Sequence, residues 1–294
     1  MRAIWMALIL SMALGAPAWA CSADTDCLLG DRTYRIALPP GPAQGPLGAL
    51  IFAHGYGGSA GAEMANQGLR ALAHENRMAL VAPNSVGEAW MIPHLPDHRA
   101  EDGAREYAFF EALVEDLSTR HGIDRHRTVI AGFSAGAMLV WNLACHRGQS
   151  FGAFLPIAGT FWEPMPTDCP TEAGPLVHIH GTADAVVPMI GRRVWQMHQG
   201  DVGRAMTMMM EAGDFADPFQ TESGDLTCRQ RQNADGKLLA LCTHPGGHDL
   251  RTSDLQAAIR MFVETGAFKQ KSSAKAPGQA QPTPQPQPQE GDQG

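Results

Sequence analysis

The sequence predicts an α/β fold in which a mainly parallel sheet carries helices on both faces. Short apolar runs rich in β-branched residues alternate along the chain with amphipathic segments of helical spacing. One of these runs passes into a helical segment through Gly132-Phe133-Ser134-Ala135-Gly136, a G-x-S-x-G pentapeptide that suits a sharp turn from strand to helix. Because sites in such folds lie at the carboxyl ends of the strands, we expect the functional residues at one edge of the sheet.

The alternation covers most of the chain. Strands are predicted at 49–53, 79–83, 128–131 and 154–159, from 176 into the turn that carries Asp184, and at 237–243. Helices are predicted near 64–76, at 106–120 and at 135–144, where apolar residues recur every three or four positions. The strands and helices follow one another as βαβα units, which favours a parallel sheet.

The composition is that of an ordinary globular protein. The chain has 294 residues, of which 44% are hydrophobic and 18% charged, and this is enough for a sizeable core. The formal net charge of −8 repels phosphate groups, so we expect no nucleic-acid partner and no binding to an anionic membrane surface. We also expect a monomer.

Residues 1–20 have the pattern of a signal peptide. Met1-Arg2 is a short positive region, residues 4–14 are apolar but too few to span a bilayer, and Ala18-Trp19-Ala20 is an A-x-A cleavage site. Cleavage would make Cys21 the first mature residue, which leaves a lipid anchor on that cysteine as an alternative. The sequence therefore predicts a secreted or periplasmic protein with no membrane span.

The mature chain is predicted to hold one folded domain and a tail. The catalytic domain is expected at 21–268. Residues 269–294 are rich in Pro and Gln, and a low-complexity segment of this kind does not bury a core, so we expect disorder there.

Six cysteines accompany the export signal, and an even number in an exported chain indicates three disulfides. Six cysteines allow about fifteen full pairings, so the connectivity is an inference. The pairings that we favour close a short N-terminal loop, join the end of the helix after Ser134 to the approach of the next strand, and link the arms of a hairpin: Cys21–Cys27, Cys145–Cys169 and Cys228–Cys242. A metal site is the alternative, but the sequence has no C-x-x-C pair.

Ser134 is the candidate nucleophile. A serine hydroxyl is a weak nucleophile, so it must be lifted out of its strand toward a base. The glycines at 132 and 136 allow the strained, closely packed turn that does this. A chance match in a glycine-rich loop is the alternative, and the strand and helix predicted on either side argue against it.

The same motif predicts an acid and then a histidine, each after a strand. Asp184 follows the strand that starts at 176, and His248 follows Pro245-Gly246-Gly247 after the strand at 237–243. In the mechanism that this order implies, His248 takes the proton of Ser134 and later returns it to the leaving group. Asp184 fixes the imidazole tautomer and stabilises its positive form.

An oxyanion site is expected beside the nucleophile. The strand at 49–53 leads into His54-Gly55-Tyr56-Gly57-Gly58, and a turn so rich in glycine can direct a backbone N–H at a developing oxyanion. We assign the two donors to Tyr56 and to Ala135, which directly follows the nucleophile. A plain strand-to-loop turn is the alternative for residues 54–58.

Together these motifs resemble the α/β-hydrolase superfamily. More narrowly, the chain is similar to the secreted esterases that include polyhydroxybutyrate depolymerases and feruloyl or acetylxylan esterases. The resemblance runs from about residue 35 to 268 and is carried by four stretches, at 54–58, 132–138, 180–184 and 246–248. It implies an α/β-hydrolase fold, a Ser134–Asp184–His248 triad and no cofactor. Two positions depart from the group: Tyr56 stands where members often have Cys, and Asp249-Leu250 follow the histidine where a Trp is common.

We therefore predict an exported serine carboxylic ester hydrolase that acts through an acyl-enzyme on Ser134, without a cofactor or a metal. The expected substrate is a hydroxyalkanoate oligomer or polymer of the polyhydroxybutyrate type, or a feruloyl or acetyl ester. A serine peptidase of the prolyl-oligopeptidase kind is one alternative, although no repeat of about forty residues indicates a propeller domain. A catalytically idle hydrolase fold used for binding is the other, although the chain keeps all three triad residues.

Other residues have both a structural and a functional interpretation. We read His178 and His180 as packed or hydrogen-bonded histidines at the edge of the core. The methionines at 206 and 208–210 are read as adaptable core packing rather than a lid. Three tryptophans follow candidate strands and are either core residues or walls for an acyl or aryl group: Trp90, Trp162 and Trp195. His94, Asp97 and His98 are read as a solvated loop rather than a metal site.

Overall fold

The structure, a computed structural model, describes residues 21–41, 45–96 and 101–267. The predicted signal peptide and the predicted tail lie outside these ranges. The strands are β1 Cys27–Leu29, β2 Arg32–Ala37, β3 Leu47–Ala53, β4 Met78–Pro83, β5 Ile123–Phe133, β6 Ala153–Ile157, β7 Leu176–Gly181, β8 Arg193–Val194, β9 Met197–His198, β10 Phe219–Ser223, β11 Leu226–Gln232 and β12 Leu238–His244. The helices are α1 Ala60–Ala65, α2 Gln67–Glu75, α3 Ala104–His121, α4 Ala135–His146, α5 Val202–Gly213 and α6 Thr252–Glu264.

Ten of the strands form one mixed sheet in the order β1-β2-β4-β3-β5-β6-β7-β12-β11-β10. The centre of the sheet, from β4 to β12, is parallel throughout. Antiparallel strands extend it at both sides. The prediction of a mainly parallel sheet is confirmed, and the carboxyl ends of β3, β5, β7 and β12 open onto the same edge.

Two hydrophobic cores cover the two faces of the sheet. Along β3, Ala49, Ile51 and Ala53 belong to one core, while Leu50 and Phe52 belong to the other, because successive side chains of a strand point to opposite faces. The first core takes its helical side chains mainly from α3, α4 and α5, and the second takes them from α1, α2 and α6. The prediction of helices on both faces is confirmed.

The predicted helix near 64–76 is two helices that meet at Asn66. This residue has extended backbone angles, φ −72° and ψ 98°, so it interrupts the helical path. Its side chain accepts a hydrogen bond from the N–H of Leu69 at 3.1 Å and thereby caps α2. Asparagine is favoured as an N-cap because its side chain satisfies an N–H that has no partner within the helix. Within each helix the buried residues are three or four positions apart, Ala60 and Met64 in α1 and Leu69, Leu72 and Ala73 in α2, so the sequence favours a helix on both sides of the break.

The three favoured disulfides are all present. Cys21 is bonded to Cys27, and Cys145, one residue before the last of α4, is bonded to Cys169. Cys228 and Cys242 face each other directly across β11 and β12 and are bonded. The third bridge therefore joins the strand that leads to His248 to its antiparallel neighbour.

The methionine cluster lies on α5. Met208 and Met209 are buried in the first core, and Met206 and Met210 pack against it. This confirms the core interpretation. Within the described ranges, no helix combines the length and the apolar character that crossing a membrane would need.

Candidate active site

Ser134 occupies a strained turn between β5 and α4. Its backbone angles are φ 55° and ψ −115°, a positive-φ conformation that costs a residue with a side chain about 1–3 kcal/mol. The turn is held on both sides, since the N–H of Ser134 donates to the carbonyl of Ile157 at 2.9 Å and its carbonyl accepts the N–H of Met138 at 3.1 Å. Strain of this kind is typical of functional positions.

The glycines of the pentapeptide are required by close packing. A Cβ on Gly132 would lie 2.4 Å from the carbonyl oxygen of Gly136, and a Cβ on Gly136 would lie 2.0 Å from that of Ala53. Neither glycine has a positive φ. They are therefore needed because α4 approaches the backbone of β3 and β5, while the positive φ of the turn falls on Ser134 itself.

Asp184 and His248 are hydrogen-bonded to each other. Nδ1 of His248 lies 2.7 Å from Oδ2 of Asp184. The other carboxylate oxygen, Oδ1, accepts the backbone N–H groups of Val186 and Val187, each at 2.8 Å. Because a carboxylate only accepts hydrogen bonds, Nδ1 of His248 carries the proton, and Nε2 is then the unprotonated nitrogen that can act as a base.

The loops that carry these two residues are joined by their backbones. The N–H of Thr182 donates to the carbonyl of His244 at 2.8 Å, and that of Ala183 donates to the carbonyl of Gly246 at 3.0 Å. A Cβ on Gly181 would lie 2.1 Å from the carbonyl oxygen of Gly247, so this approach depends on glycine. The joined loops fix the position of Asp184 relative to His248.

His248 lies beside the turn that carries Ser134. Its ring centroid lies 4.7 Å from that of Phe133, the residue before Ser134. Within the described part of the chain, no hydrogen bond links Ser134 to His248. Such bonds are often long in ligand-free hydrolases and shorten when substrate is bound.

A pair of buried histidines lies behind Asp184. Nε2 of His180 is 2.7 Å from the carbonyl oxygen of Val187 and 3.5 Å from Oδ2 of Asp184. Since a carbonyl only accepts, Nε2 carries the proton and Nδ1 accepts from Nε2–H of His178, at 2.9 Å. Burial lowers the pKa of both rings, which keeps them neutral. The core interpretation is confirmed, and the contact with Asp184 is a further role that only the three-dimensional arrangement reveals.

The loop after β3 lies next to Ser134. His54 is buried at its start, where Nε2 accepts the N–H of Ser85 at 3.2 Å, so Nδ1 carries the proton that is donated to the carbonyl of Gly55 at 2.8 Å. The N–H groups of Gly57 and Gly58 are engaged with other carbonyls at 2.8 and 3.0 Å. These bonds fix the conformation of the loop. Because both glycine N–H groups are already bonded, neither serves as an oxyanion donor.

A cavity of about 290 Å³ opens beside Ser134. Both assigned oxyanion residues, Tyr56 and Ala135, border it together with Ser134. The other bordering residues are mostly apolar: Leu95, Pro96, Met138, Trp162, Val186, Val187, Arg192, Val194, Trp195 and Gln199. Ala135 is the first residue of α4, where helical N–H groups have no partner within the helix. Ser134 and the residues of both assigned donors therefore border the same cavity.

Of the three tryptophans singled out in the sequence, two border this cavity. Trp162 is buried, and Trp195 is 71% exposed at the tip of the β8–β9 hairpin. Trp90 is instead a core residue, whose Nε1 donates to the carbonyl of His54 at 2.9 Å. Sequence reasoning did not single out Arg192 or Gln199, because nothing in their spacing distinguishes them from surface residues.

A larger cavity, of about 630 Å³, lies at the opposite edge of the sheet. Its walls include residues that precede strands, such as Gly152 before β6, Pro175 before β7 and Lys237 before β12. Ligands of open α/β sheets bind at the carboxyl ends of the strands, so the smaller cavity is the candidate site.

In the ranges that the structure describes, no three His, Cys, Asp or Glu residues are grouped so as to hold a metal ion. His94 lies within these ranges, but Asp97 and His98, the other members of the predicted solvated loop, lie outside them.

Comparisons with known proteins agree with this geometry. Residues 39–211 match the phospholipase/carboxylesterase family. A protein from Nocardia uniformis subsp. tsuyamanensis that is named as an esterase, NocK, is 31% identical over 241 residues, which is 74% of this chain and 70% of the relative. Feruloyl esterase C of Emericella nidulans is 25% identical over 241 residues, covering 75% of this chain and 77% of that protein.

The fold is also found in solved structures. The acetyl xylan esterase from Aspergillus awamori superimposes with a TM-score of 0.57 at 13% identity, covering 78% of this chain and 94% of that one. At this identity the likeness concerns the fold alone. The family match over residues 39–211 and the 31% identical relative establish more: the chain belongs to the phospholipase/carboxylesterase family of α/β-hydrolases and is a carboxylic ester hydrolase.

Proposed function

We propose that the protein is an exported serine esterase that forms an acyl-enzyme on Ser134. The observation that carries this proposal is the hydrogen bond between His248 and Asp184 at the carboxyl edge of the sheet, beside a cavity bordered by Ser134. The tautomer that this bond requires leaves Nε2 of His248 as the available base.

The reaction takes place in two half-reactions. Nε2 of His248 accepts the proton of Ser134 as Oγ attacks the ester carbonyl, and Asp184 stabilises the resulting imidazolium. The backbone N–H groups of Tyr56 and Ala135 stabilise the oxyanion. His248 then gives its proton to the leaving alkoxide, and the acyl group stays on Ser134. Water, deprotonated by the same imidazole, releases the acid and regenerates the serine.

The cavity is assigned to the acyl group. The acyl group remains attached to Ser134 after the alcohol has left, so it needs a binding space that Ser134 itself borders. The indoles of Trp162 and Trp195 give this space aromatic walls, which suit an aryl or a short hydroxyalkanoyl group. This supports a feruloyl, acetyl or hydroxyalkanoate ester as the substrate, in line with the feruloyl esterase named among the relatives.

Export is part of the proposal. The signal-peptide pattern at 1–20 and the three disulfides support an oxidising compartment, since disulfides are rare in the cytosol.

The test is labelling with a fluorophosphonate probe, followed by hydrolysis of p-nitrophenyl esters from acetate to palmitate, of methyl ferulate and of amorphous polyhydroxybutyrate. We expect labelling and turnover in the parent and neither in Ser134→Ala. Labelling together with cleavage of peptides but not of esters would favour the serine peptidase alternative. A parent that takes up no probe and hydrolyses no ester would favour an idle binding fold.

A further inference from the structure

The Tyr56 loop, residues 54–58, is hydrogen-bonded to a second loop, residues 84–91, which follows β4. Two of these bonds reach His54, the first residue of the Tyr56 loop. The carbonyl of His54 accepts Nε1–H of Trp90 at 2.9 Å, and its Nε2 accepts the N–H of Ser85 at 3.2 Å. Because Trp90 is fully buried, these bonds fix the start of the Tyr56 loop.

The loop 84–91 also holds the residues that follow His54. The N–H of Gly57 donates to the carbonyl of Glu88 at 2.8 Å, and the hydroxyl of Tyr56 donates to the carboxylate of Glu88 at 2.6 Å. The backbone of Tyr56, which supplies one assigned oxyanion donor, thus lies between two residues that are bonded to the loop 84–91. A displacement of that loop would move the donor away from the place where the oxyanion forms, and small displacements of this kind slow catalysis.

The position of the loop 84–91 depends on its two ends. Its middle, residues 86–88, is exposed. A bridge between Val86 and Ala89 braces this part internally, so we expect it to move as one piece. The position of Glu88 is therefore set by the way in which the ends of the loop are attached to the rest of the fold.

One buried ion pair is attached to both ends of the loop 84–91. Glu106 on α3 is fully buried, and its Oε1 accepts the N–H of Met91 at 2.9 Å, at the end of the loop. Its Oε2 accepts Nη1–H and Nη2–H of Arg32, each at 3.2 Å. Nη2 of Arg32 also donates to the carbonyl of Asn84 at 2.8 Å, at the start of the loop. The pair thereby connects the loop to β2 and α3.

The stability of the fold does not account for this ion pair. Taking two charges out of water costs free energy that their attraction only roughly repays, so a buried pair can often be replaced by apolar side chains without loss of stability. The Nε–H of Arg32 is buried without an acceptor among the described residues, which adds to the cost. The position that the pair gives to the loop 84–91 is a reason to retain it.

We propose that Glu106 is a positioning residue for the oxyanion donor at Tyr56. This inference rests on the proposed function. Glu106, oriented by Arg32, holds the loop 84–91, and that loop holds the Tyr56 loop where the reaction needs it. Because the oxyanion develops only in the transition state, a displaced donor slows the reaction without weakening substrate binding.

The test uses Glu106→Gln, which keeps the size of the side chain but has a single oxygen. That oxygen can take the place that faces Met91 or the place that faces Arg32, but not both. With p-nitrophenyl acetate, we expect kcat and kcat/KM to fall by the same factor, about tenfold, and KM to stay unchanged. Arg32→Met/Glu106→Leu, which is apolar at both positions, should keep the stability of the parent and show a similar loss of kcat.

Tyr34→Phe is the matched control. Tyr34 lies on β2, as Arg32 does, and its hydroxyl donates to the carboxylate of Asp116 on α3 at 2.6 Å. The variant therefore loses a hydrogen bond between the same two elements, but this bond does not reach the loop 84–91, and kcat should stay as in the parent. A parental kcat in Glu106→Gln overturns the proposal. So does an equal loss of kcat in both variants, because that result indicates a general structural role.

Hydrogen exchange separates this inference from the proposed function. The exchange rate of the Gly57 N–H reports the bond between the two loops, whether or not the protein hydrolyses esters. We expect Glu106→Gln to raise this rate about tenfold and Tyr34→Phe to leave it unchanged. That pattern in a protein that hydrolyses no ester supports the link from Glu106 to the Tyr56 loop, so that only the esterase proposal fails. Unchanged exchange in Glu106→Gln, in a parent that does hydrolyse esters, overturns the inference and leaves the esterase proposal standing.

Discussion

Nδ1 of His248 donates to Oδ2 of Asp184 at 2.7 Å, while Oδ1 of the same carboxylate accepts two backbone N–H groups at 2.8 Å. The two backbone N–H groups hold the carboxylate through Oδ1, and the carboxylate orients the imidazole through Oδ2. Removing the charge of Asp184 should lower the rate of ester hydrolysis through the imidazole tautomer. Removing the imidazole of His248 should lower that rate by taking away the group that transfers the proton.

For the triad variants we expect a graded loss of ester hydrolysis. Ser134→Ala and His248→Ala each lower kcat by about 10⁶-fold, and Asp184→Asn lowers it by about 10⁴-fold, because its amide group can donate to Nδ1 and stabilise the wrong tautomer. Steady-state hydrolysis of p-nitrophenyl acetate gives the rates, and circular dichroism verifies that the variants are folded. Equal turnover in the parent and all three variants would contradict the triad assignment.

His180 is expected to be a positioning residue. His180→Leu removes the bond to Val187 and leaves Nε2–H of His178 without an acceptor, which should lower the free energy of unfolding by about 1–3 kcal/mol. The double variant His178→Leu/His180→Leu removes both partners and should regain most of that stability, since replacing both by apolar groups is nearly neutral.

Activity should not recover in the same double variant, because the 186–187 turn that holds Asp184 has lost its bond to His180. We expect kcat to stay about tenfold below the parent, in line with the loss of one hydrogen bond. Urea denaturation and steady-state kinetics measure the two quantities. Full recovery of kcat along with stability would show that the histidine pair serves packing alone.

Trp195 is expected to lower the stability of the protein and to improve the binding of aryl substrates. It is the first residue of the two-residue turn between β8 and β9, with φ 51°, a position at which glycine is favoured in a hairpin. Trp195→Gly should therefore raise the free energy of unfolding by about 1 kcal/mol. The same change removes an exposed aromatic wall of the cavity, so KM for aryl esters should rise. Trp195→Phe keeps both the strain and a ring, and it should change neither quantity much.

Much of the fold and of the candidate site follows from local sequence. The order of Ser134, Asp184 and His248, each after an apolar run, could be read directly because the motif needs a strand before it and glycines around it. The short antiparallel strands at the sheet edges, such as β1 and β10, have no strong apolar alternation to reveal them.

Gln199 illustrates why the rest could not be predicted. Its burial results from the isolated bridge to Trp162, a contact between segments that are distant in sequence. The break of the helix at Asn66 depends on a single cap residue, and the residues on both sides of it favour a helix.

The Cys228–Cys242 disulfide should stabilise both the domain and the active site. It closes a loop with a sequence separation of 14, and a loop of this size corresponds to about 3 kcal/mol. β12 leads into the loop that carries His248, so Cys228→Ala/Cys242→Ala should lower the thermal midpoint and also kcat. The control is Cys21→Ala/Cys27→Ala, which opens a bridge at the far edge of the sheet. If both double variants lowered kcat equally, the link to His248 would be wrong.

The free energy of unfolding should fall as the pH drops below 6.5. Burial lowers the pKa of His54, His121, His146, His178 and His180 below that ordinary value. At a pH between each lowered pKa and 6.5, the unfolded chain binds the proton and the folded chain does not. The unfolding free energy therefore rises with pH in this window, by at most about 1.4 kcal/mol per pH unit for each histidine.

One group among the described residues opposes this trend. Burial raises the pKa of Glu63 to about 7, so the folded chain keeps a proton that the unfolded chain has lost, and its contribution falls as the pH rises from 4.5 to 7. Five histidines raise the unfolding free energy with increasing pH, and only Glu63 among these groups lowers it. We therefore expect urea denaturation at pH 5.5 to give a lower unfolding free energy than at pH 7.5. His178→Leu/His180→Leu, which removes two of the buried histidines, should reduce the difference. An unfolding free energy that does not change between the two pH values in the parent would contradict the prediction.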